Sequence, residues 1–181
     1  MLKHLGRDLR NKAKWCYGDD RWPNLVKTLL TDGTAAMILY RAMQQSRAWR
    51  LTPLEMIFNK LNAVVGQCVI GRGAEFGPGL VFIHSQGIVI NGTTKGGRDI
   101  HIEHQVTIGA EKRRSPVLGD GVFLGAGCKV LGAVTIGDHA RIGANAVVLH
   151  DVPAYATAVG IPARVVRQRS ASDPDAEPAD S

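Results

Sequence analysis

The chain has 181 residues, of which 45% are hydrophobic, and its formal net charge is +6. This size and composition favour a single domain with its own core. No apolar run approaches the roughly 20 residues that a membrane-spanning helix needs, so we expect no stable membrane insertion. The basic start, MLKHLGRDLRNKAKW, lacks an apolar core and a small-residue cleavage site, and we do not expect it to be a secretory signal.

The charge is unevenly distributed along the chain. The last twelve residues hold four acids and no bases, which leaves a body of +10. A basic body suits nucleic acid or a phosphate-bearing cofactor, and it also suits a surface charged for solubility. No nucleic-acid motif is present and only 6% of residues are aromatic, so we expect no nucleic-acid partner.

The cysteines bear on the compartment and on metals. Cys16, Cys68 and Cys128 lie far apart and are odd in number. They form neither a disulfide framework nor a zinc motif, which fits a reducing cytoplasm. We therefore expect a cytoplasmic protein without a metal.

Residues 1–66 are predicted to form a helical region. The segments WPNLVKTLL, AAMILYRAMQQSRAW and TPLEMIFNKLNAVV carry apolar residues at helical spacing. Gly33 separates the first two segments, and Pro53 follows Thr52 at the start of the third.

Apolar residues recur at a six-residue spacing, with two breaks, from Cys68 onward, a period that belongs to neither an α-helix nor a long strand. The recurring residues are Ile70, Phe76, Phe82, Ile88, Ile102, Ile108, Leu118, Leu124, Val130, Ile136, Ile142 and Val148, many of them followed by glycine. This pattern predicts a mainly β fold, a parallel β-helix of hexapeptide repeats over residues 67–167, in which each unit is one strand and one turn.

The six-residue register breaks twice. Two extra residues fall between Ile88 and Ile102, and four fall between Ile108 and Leu118. Insertions in a solenoid form loops that often carry the binding face, so we expect the functional residues to lie near these two insertions. Regular coiling ends near Pro153 and Pro162, and we expect residues 168–181 to form an acidic, disordered tail.

Several motifs resemble the hexapeptide acyltransferases, whose fold is a left-handed parallel β-helix. They are HSQGIVI, VTIG, LGAGCKVLG, IGANAVVLHDVP and VGIPARVV. They are similar to the serine O-acetyltransferase branch, and more so to its colanic-acid-type relatives from capsule and exopolysaccharide clusters. The resemblance implies acetyl transfer from acetyl-CoA to a hydroxyl, with a homotrimer whose sites lie between subunits.

His84, in FIHSQGIVIN, coincides with the catalytic histidine of that family. From the residues alone it could be a packed core histidine, a metal ligand or a base. The resemblance favours the base, because acetyl transfer needs a group that removes the proton of the acceptor hydroxyl. Imidazole is largely neutral and basic near neutral pH.

The chain departs from the serine enzymes at three positions of the amino-acid site. Val69 stands where the family has an aspartate that orients the histidine, Ile83 where it has an acid, and Ser115 where it has a second histidine. Arg114 matches a family arginine. These changes predict a sugar or polysaccharide hydroxyl as acceptor, with L-serine as the alternative.

Further candidate site residues are suggested by the resemblance and by their positions in the chain. The predicted acceptor-binding residues are His104, Arg114 and Glu103, and Glu103 or a backbone carbonyl is expected to orient His84 in place of the missing aspartate. The predicted acetyl-CoA contacts are the small residues Ala110, Ala126 and Ala144, together with the cations Lys112, Arg113, Arg164 and Arg167 as phosphate ligands.

Two further hypotheses remain open. The hexapeptide fold also holds three-histidine zinc sites, for which only His84, His101 and His104 are candidates, and their spacing does not fit that pattern. The other hypothesis is a catalytically inactive structural trimer, because Val69 and Ser115 replace an aspartate and a histidine of the family's site. We expect direct transfer without a covalent intermediate, because the sequence indicates no nucleophile. Cys128 is expected to be a small residue of the core.

Overall fold

The computed structural model describes residues 2–170, with side chains from residue 4 onward. Four α-helices occupy the first part of this range: α1 (Leu2–Tyr17), α2 (Trp22–Leu29), α3 (Thr34–Ala48) and α4 (Thr52–Val64). The three segments predicted to be helical are confirmed as α2, α3 and α4. None of the described helices is both long and apolar enough to cross a membrane.

Short strands occupy most of the remainder. Their bounds are β1 (Val69–Ile70), β2 (Glu75–Phe76), β3 (Val81–Phe82), β4 (Val89–Ile90), β5 (Lys95–Gly96), β6 (His101–Ile102), β7 (Thr107–Gly109), β8 (Val117–Leu118), β9 (Phe123–Leu124), β10 (Lys129–Leu131), β11 (Thr135–Ile136), β12 (Arg141–Ile142), β13 (Val147–Val148), β14 (Ala156–Val159) and β15 (Arg164–Gln168).

The strands form three sheets that wind as a solenoid. The orders are β1-β4-β7-β10-β13, β11-β8-β5-β2 and β15-β14-β12-β9-β6-β3. From β1 to β13 each strand pairs in parallel with the strand three positions later, so three strands complete one coil. The predicted parallel β-helix is therefore confirmed.

The aliphatic residues of the hexads fill the inside of the coils. Those from the unbroken second half of the pattern are all buried: Leu118, Leu124, Val130, Ile136, Ile142 and Val148. Each such side chain stabilises the fold by roughly 2 kcal/mol through removal of apolar surface from water. Because the coils stack, these contributions form one continuous core.

The first break in the register lies elsewhere than predicted. Ile70 pairs with Ile90, not with Ile88, and Ile90 to Ile102 is a regular pair of hexads. The two extra residues therefore fall between Phe82 and Ile90, in the corner that follows β3. Ile88 is also buried, which is why the six-residue period could not reveal the displacement.

The C-terminal end closes with an antiparallel pair. β15 folds back on β14, while the other named strand pairs are parallel. Gln168, at the start of the predicted tail, still belongs to β15. The predicted disorder of the tail beyond Ser170 lies outside the described residues.

A buried ion pair fixes the helices to the first coil. Arg41 on α3 and Asp8 on α1 are 2.7 Å apart and almost fully buried. The Arg41 guanidinium also donates to the carbonyls of Phe76 and Gly77, and Asp8 accepts from the backbone N–H of Gly79. The charges are thus satisfied on both sides, as buried ions require.

α1 also lies across the sheet that contains β3, β6 and β9. The Trp15 ring packs on His101 at 4.8 Å and on Phe123 at 5.7 Å between ring centroids. Burial lowers the pKa of His101 to about 4. This packing brings the start of the helical region to the corner after β3.

Candidate active site

His84 lies in the two-residue insertion that follows β3. The side chains around it in sequence, Phe82, Ile83 and Ser85, are buried, whereas 53% of the His84 side chain is exposed. The extra residues widen this corner, which lets the ring point outward from the coil instead of into the core. A packed core histidine is therefore not what the structure shows.

Asp32 supplies the partner that the sequence did not reveal. His84 Nδ1–H donates to Asp32 Oδ2 at 2.9 Å, across 52 residues of chain. The other carboxylate oxygen of Asp32 accepts from the backbone N–H of Gly33 at 2.9 Å. A hydrogen bond from Nδ1 fixes the tautomer whose Nε2 carries a free lone pair. That nitrogen is the one able to accept a proton.

Glu103 does not orient His84, so this part of the prediction is wrong. Its carboxylate lies 3.6 Å from Nδ1 of His104, its own neighbour in sequence. Both residues follow β6, which stacks directly on β3, so they reach the same side of the solenoid. Asp32 takes the orienting position because the loop before α3 passes closer to His84.

His104 lies beside the catalytic candidate. The rings of His84 and His104 meet edge to face with centroids 6.0 Å apart, and 43% of the His104 side chain is exposed. Four polar side chains thus converge here: His84, Asp32, His104 and Glu103. The first two are joined by the hydrogen bond from Nδ1, and the other two form a polar wall next to them.

The three positions at which the sequence departs from the serine enzymes have different surroundings in the structure. Val69 is exposed on β1 and Ile83 is buried beside His84. Ser115 is engaged in a hydroxyl cluster: it donates to Asn91 Oδ1 at 2.9 Å and lies 2.7 Å from Thr93 Oγ1. None of the three contacts the His84 ring by a hydrogen bond in residues 2–170.

The second insertion forms the loop between β7 and β8, as predicted. Glu111 and Arg114 pair through their backbones, and the turn between them places Lys112 and Arg113 at positive φ. All four side chains are exposed. Within one chain, no hydrogen bond or ion pair joins Arg114 to His84 in the described range.

The predicted cofactor contacts occupy corners and the closing strand. Ala126 and Ala144 lie on stacked corners, where the N–H of Asn145 donates to the Ala126 carbonyl. Ala144 and Ala110 are exposed, and Ala126 is partly so. Arg164 and Arg167 are exposed on β15. The structure leaves these positions open to a ligand without bringing them together with His84.

Comparison with known proteins relates the site to a family. Residues 115–150 match the family described as bacterial transferase hexapeptide (six repeats). A serine acetyltransferase of Helicobacter pylori is 41% identical over 142 residues, which cover 76% of this chain and 83% of that protein. The chain belongs to the hexapeptide-repeat acyltransferase family. It is accordingly an acetyltransferase.

Solved structures of other hexapeptide-repeat acyltransferases extend the comparison. A Neisseria gonorrhoeae serine acetyltransferase in complex with serine has a TM-score of 0.83 at 31% identity, covering 92% of this chain and 69% of that one. A serine acetyltransferase in complex with CoA has a TM-score of 0.82 at 33% identity, covering 91% and 69%. The chain thus spans about two thirds of these two proteins.

The names of these relatives correct one prediction about the acyltransferase. They are serine acetyltransferases. The expected relationship to capsule or exopolysaccharide enzymes is not supported, and the comparisons favour the alternative acceptor that the sequence left open.

Two other kinds of catalytic group, a cysteine nucleophile and a cluster of metal ligands, were also considered from the sequence. Burial raises the pKa of the Cys128 thiol to about 12, so it is protonated near neutral pH and is no nucleophile. Among residues 2–170, no three or more His, Cys, Asp or Glu side chains cluster as a metal would require. His84 is half exposed and hydrogen-bonded to Asp32, so it stays the candidate proton acceptor.

Proposed function

We propose that this acyltransferase moves the acetyl group of acetyl-CoA to the hydroxyl of L-serine, with His84 as general base. The observation that carries the proposal is the 2.9 Å contact between His84 Nδ1 and Asp32, made by a ring that is half exposed. An oriented imidazole with a free Nε2 is what acceptor deprotonation requires. The names of the relatives, and their complexes with CoA and with serine, support the choice of substrates.

The reaction needs one proton to move twice. Nε2 of His84 takes the proton of the acceptor hydroxyl as its oxygen attacks the thioester carbonyl carbon. The tetrahedral intermediate then breaks its C–S bond, and His84 returns the proton to the departing thiolate. The products are the O-acetyl ester and the free thiol of CoA. Asp32 accepts from Nδ1 throughout and stabilises the transient imidazolium.

We propose direct transfer between bound substrates, with no acetylated enzyme. The two substrates would meet at His84, with His104 and Glu103 beside the acceptor and Arg114 facing its carboxylate. The Ala110, Ala126 and Ala144 corners would admit the pantetheine arm, because small side chains let it approach the backbone. Phosphates would be met by Lys112, Arg113, Arg164 and Arg167.

His84 follows β3 and Arg114 follows β7, strands of two different sheets, which fits a site completed by a second subunit. We propose a homotrimer in which the loop between β7 and β8 of one subunit faces His84 of the next. Exposed valines along the sheet of β1 and β4, Val69 and Val89, offer an apolar face for such packing. The three free cysteines are consistent with a cytoplasmic location.

One observation favours a second acceptor, a sugar hydroxyl. Ile83, directly before His84, is apolar and 7% exposed, and Ser115 is held by Asn91 and Thr93. Neither supplies a charge for an α-amino group. A sugar would need only a hydroxyl and neutral hydrogen-bonding groups at these positions.

An acceptor screen tests both candidates. Release of CoA thiol from acetyl-CoA would be followed with L-serine, monosaccharides and oligosaccharides, with D-serine as the matched control. Saturable thiol release that depends on L-serine supports the proposal. Release with a saccharide and none with L-serine would transfer the assignment to the second acceptor. No release with any hydroxyl compound would contradict both.

A further inference from the structure

Lys12 on α1 is a fully buried lysine adjacent to the active site. Its side chain has no exposed surface. Its Nζ donates to the backbone carbonyl of Asp32, to that of Phe82 at 2.7 Å and, more weakly, to that of Ile83 at 3.5 Å. An ammonium has three N–H donors, and here each of them meets a carbonyl.

Burying the charge of Lys12 does not by itself stabilise the fold. Lysines are almost never fully buried unless paired, and an apolar residue of similar volume is often tolerated at least as well. No carboxylate oxygen is hydrogen-bonded to Nζ in the described structure. The backbone carbonyls of Asp32, Phe82 and Ile83 accept its hydrogen bonds instead. The hydrogen bonds of this buried cation all go to backbone carbonyls in the described structure, which indicates a role other than core packing.

The three carbonyls belong to the two segments that form the catalytic pair. Asp32 provides one of them together with the carboxylate at His84. Phe82 and Ile83 are the two residues immediately before His84. The segments meet closely, since a Cβ on Gly33 would lie 2.4 Å from the Phe82 oxygen and 3.0 Å from Nζ of Lys12. One ammonium therefore joins the backbone on both sides of the His84–Asp32 hydrogen bond.

We propose that Lys12 is a positioning residue, whose ammonium holds the Asp32 and His84 backbones together so that the Asp32 carboxylate stays at His84 Nδ1. This inference rests on the proposed role of His84 as base. Lys12 does not touch a substrate; it acts through the pair. Sub-ångström placement of a base is worth a large share of its effect on rate, and 1 Å of displacement can cost about 100-fold.

The arrangement gives the site a dependence on alkaline pH. Burial lowers the pKa of Lys12 to about 8. The neutral amine has only two N–H donors, so one of the three carbonyls loses its partner when the proton leaves. The titratable groups around it are Cys16 and Asp32, with Glu103 next to Cys16 and His84 next to Asp32. Burial raises the pKa of Cys16 above its usual value of 9.0, which keeps it out of this window.

The first test compares Lys12→Met with a matched control. Asn59→Leu also removes a side-chain bond between a helix and the first coil, from Asn59 Nδ2 to the Ile70 carbonyl at 2.6 Å, away from His84. We expect Lys12→Met to lower kcat by about 10- to 100-fold, no more than loss of the Asp32 carboxylate would, with little change in the KM for acetyl-CoA. Asn59→Leu should keep kcat. Equal kcat for Lys12→Met and wild type, or equal losses in both variants, would overturn the proposal.

The second test does not require turnover or a stable variant. Nitrogen-15 NMR of wild-type protein labelled at histidine reports whether the His84 proton sits on Nδ1. We expect the Nδ1–H form near pH 7 and a mixture of tautomers once the pH passes about 8, as Lys12 loses its proton. A His84 tautomer unchanged well above that pH would overturn the proposal. Failure of L-serine as acceptor would leave this readout intact and would count only against the proposed function.

Discussion

A Cβ atom on Gly33 would lie 2.4 Å from the carbonyl oxygen of Phe82. The loop after α2 therefore meets the end of β3 with no space for a side chain between them. The φ of 78° at Gly33 adds a second requirement for glycine, because side-chain-bearing residues rarely adopt it. This contact places Asp32, the preceding residue, at the imidazole of His84.

Gly33→Ala should damage both stability and catalysis. The matched control is Gly18→Ala, since Gly18 has φ 79° but nothing within 4 Å of an added Cβ. The control carries only the positive-φ cost of about 1 kcal/mol, and Gly33→Ala should exceed it by at least about 1 kcal/mol more. Urea unfolding and the rate of thiol release measure the two effects. Equal losses in the two variants would show that the close contact does not matter.

Asp32→Asn tests the orienting partner alone. The amide has nearly the same shape but carries no charge, so it can no longer stabilise the imidazolium or enforce one tautomer. We expect kcat to fall by about 10- to 100-fold, less than the loss from removing the base itself. Asp20→Asn is the control, because the Asp20 carboxylate pairs with Lys14 at 3.8 Å and not with His84. A kcat for Asp32→Asn that matches the control would remove Asp32 from the mechanism.

Ala144→Phe tests the cofactor groove. Ala144 is exposed, so a large side chain should fold without strain but obstruct the pantetheine arm. We expect the KM for acetyl-CoA to rise about tenfold, equivalent to about 1.4 kcal/mol, with kcat nearly unchanged. Ala63→Phe, at an exposed position on α4, is the matched substitution. An unchanged KM for acetyl-CoA in Ala144→Phe would place the groove elsewhere.

His101 makes the fold sensitive to acid. Burial lowers its pKa to about 4, whereas the unfolded chain keeps the usual value of 6.5. Between these values the unfolded state binds more protons, so the free energy of unfolding falls as the pH drops through that window, by up to roughly 3 kcal/mol.

His101→Phe isolates this effect. The variant keeps a ring under Trp15 but cannot titrate, so it should lose much less stability between pH about 7 and pH about 4 than the wild type does. Urea unfolding at the two pH values gives the comparison, with the exposed His150→Phe as control. If wild type and His101→Phe lose the same free energy, His101 is not the acid-sensitive group.

The hexad pattern was sufficient to predict the solenoid because each inward residue repeats the same local requirement for burial. It could not locate the first insertion, since Ile88 and Ile90 are both aliphatic and both buried. The spacing in the sequence shows which residues are apolar, but only strand pairing shows whether Ile88 or Ile90 stacks on Ile70. For that reason the prediction placed the insertion after Ile88 instead of at the corner that carries His84.

The catalytic role of His84 stays a prediction from its motif, and the sequence did not predict its hydrogen-bond partner Asp32. His84 lies in a motif, whereas Asp32 lies 52 residues away in a loop between helices with no periodicity to mark it. The expectation that Glu103 or a backbone carbonyl would orient His84 was wrong, because the loop between α2 and α3 brings the Asp32 carboxylate to the ring. Lys12 gave no signal either, since a lysine on a basic helix looks solvated until its packing is known.

The most direct measurement is thiol release from acetyl-CoA with L-serine by wild type, His84→Ala and His150→Ala. His150 is exposed and remote from the catalytic pair, so it controls for the loss of a histidine as such. We expect L-serine-dependent release by wild type and His150→Ala, and a loss of about 100-fold or more in His84→Ala with its unfolding transition unchanged. Turnover by a folded His84→Ala at the wild-type rate would contradict the proposed role of His84 as general base.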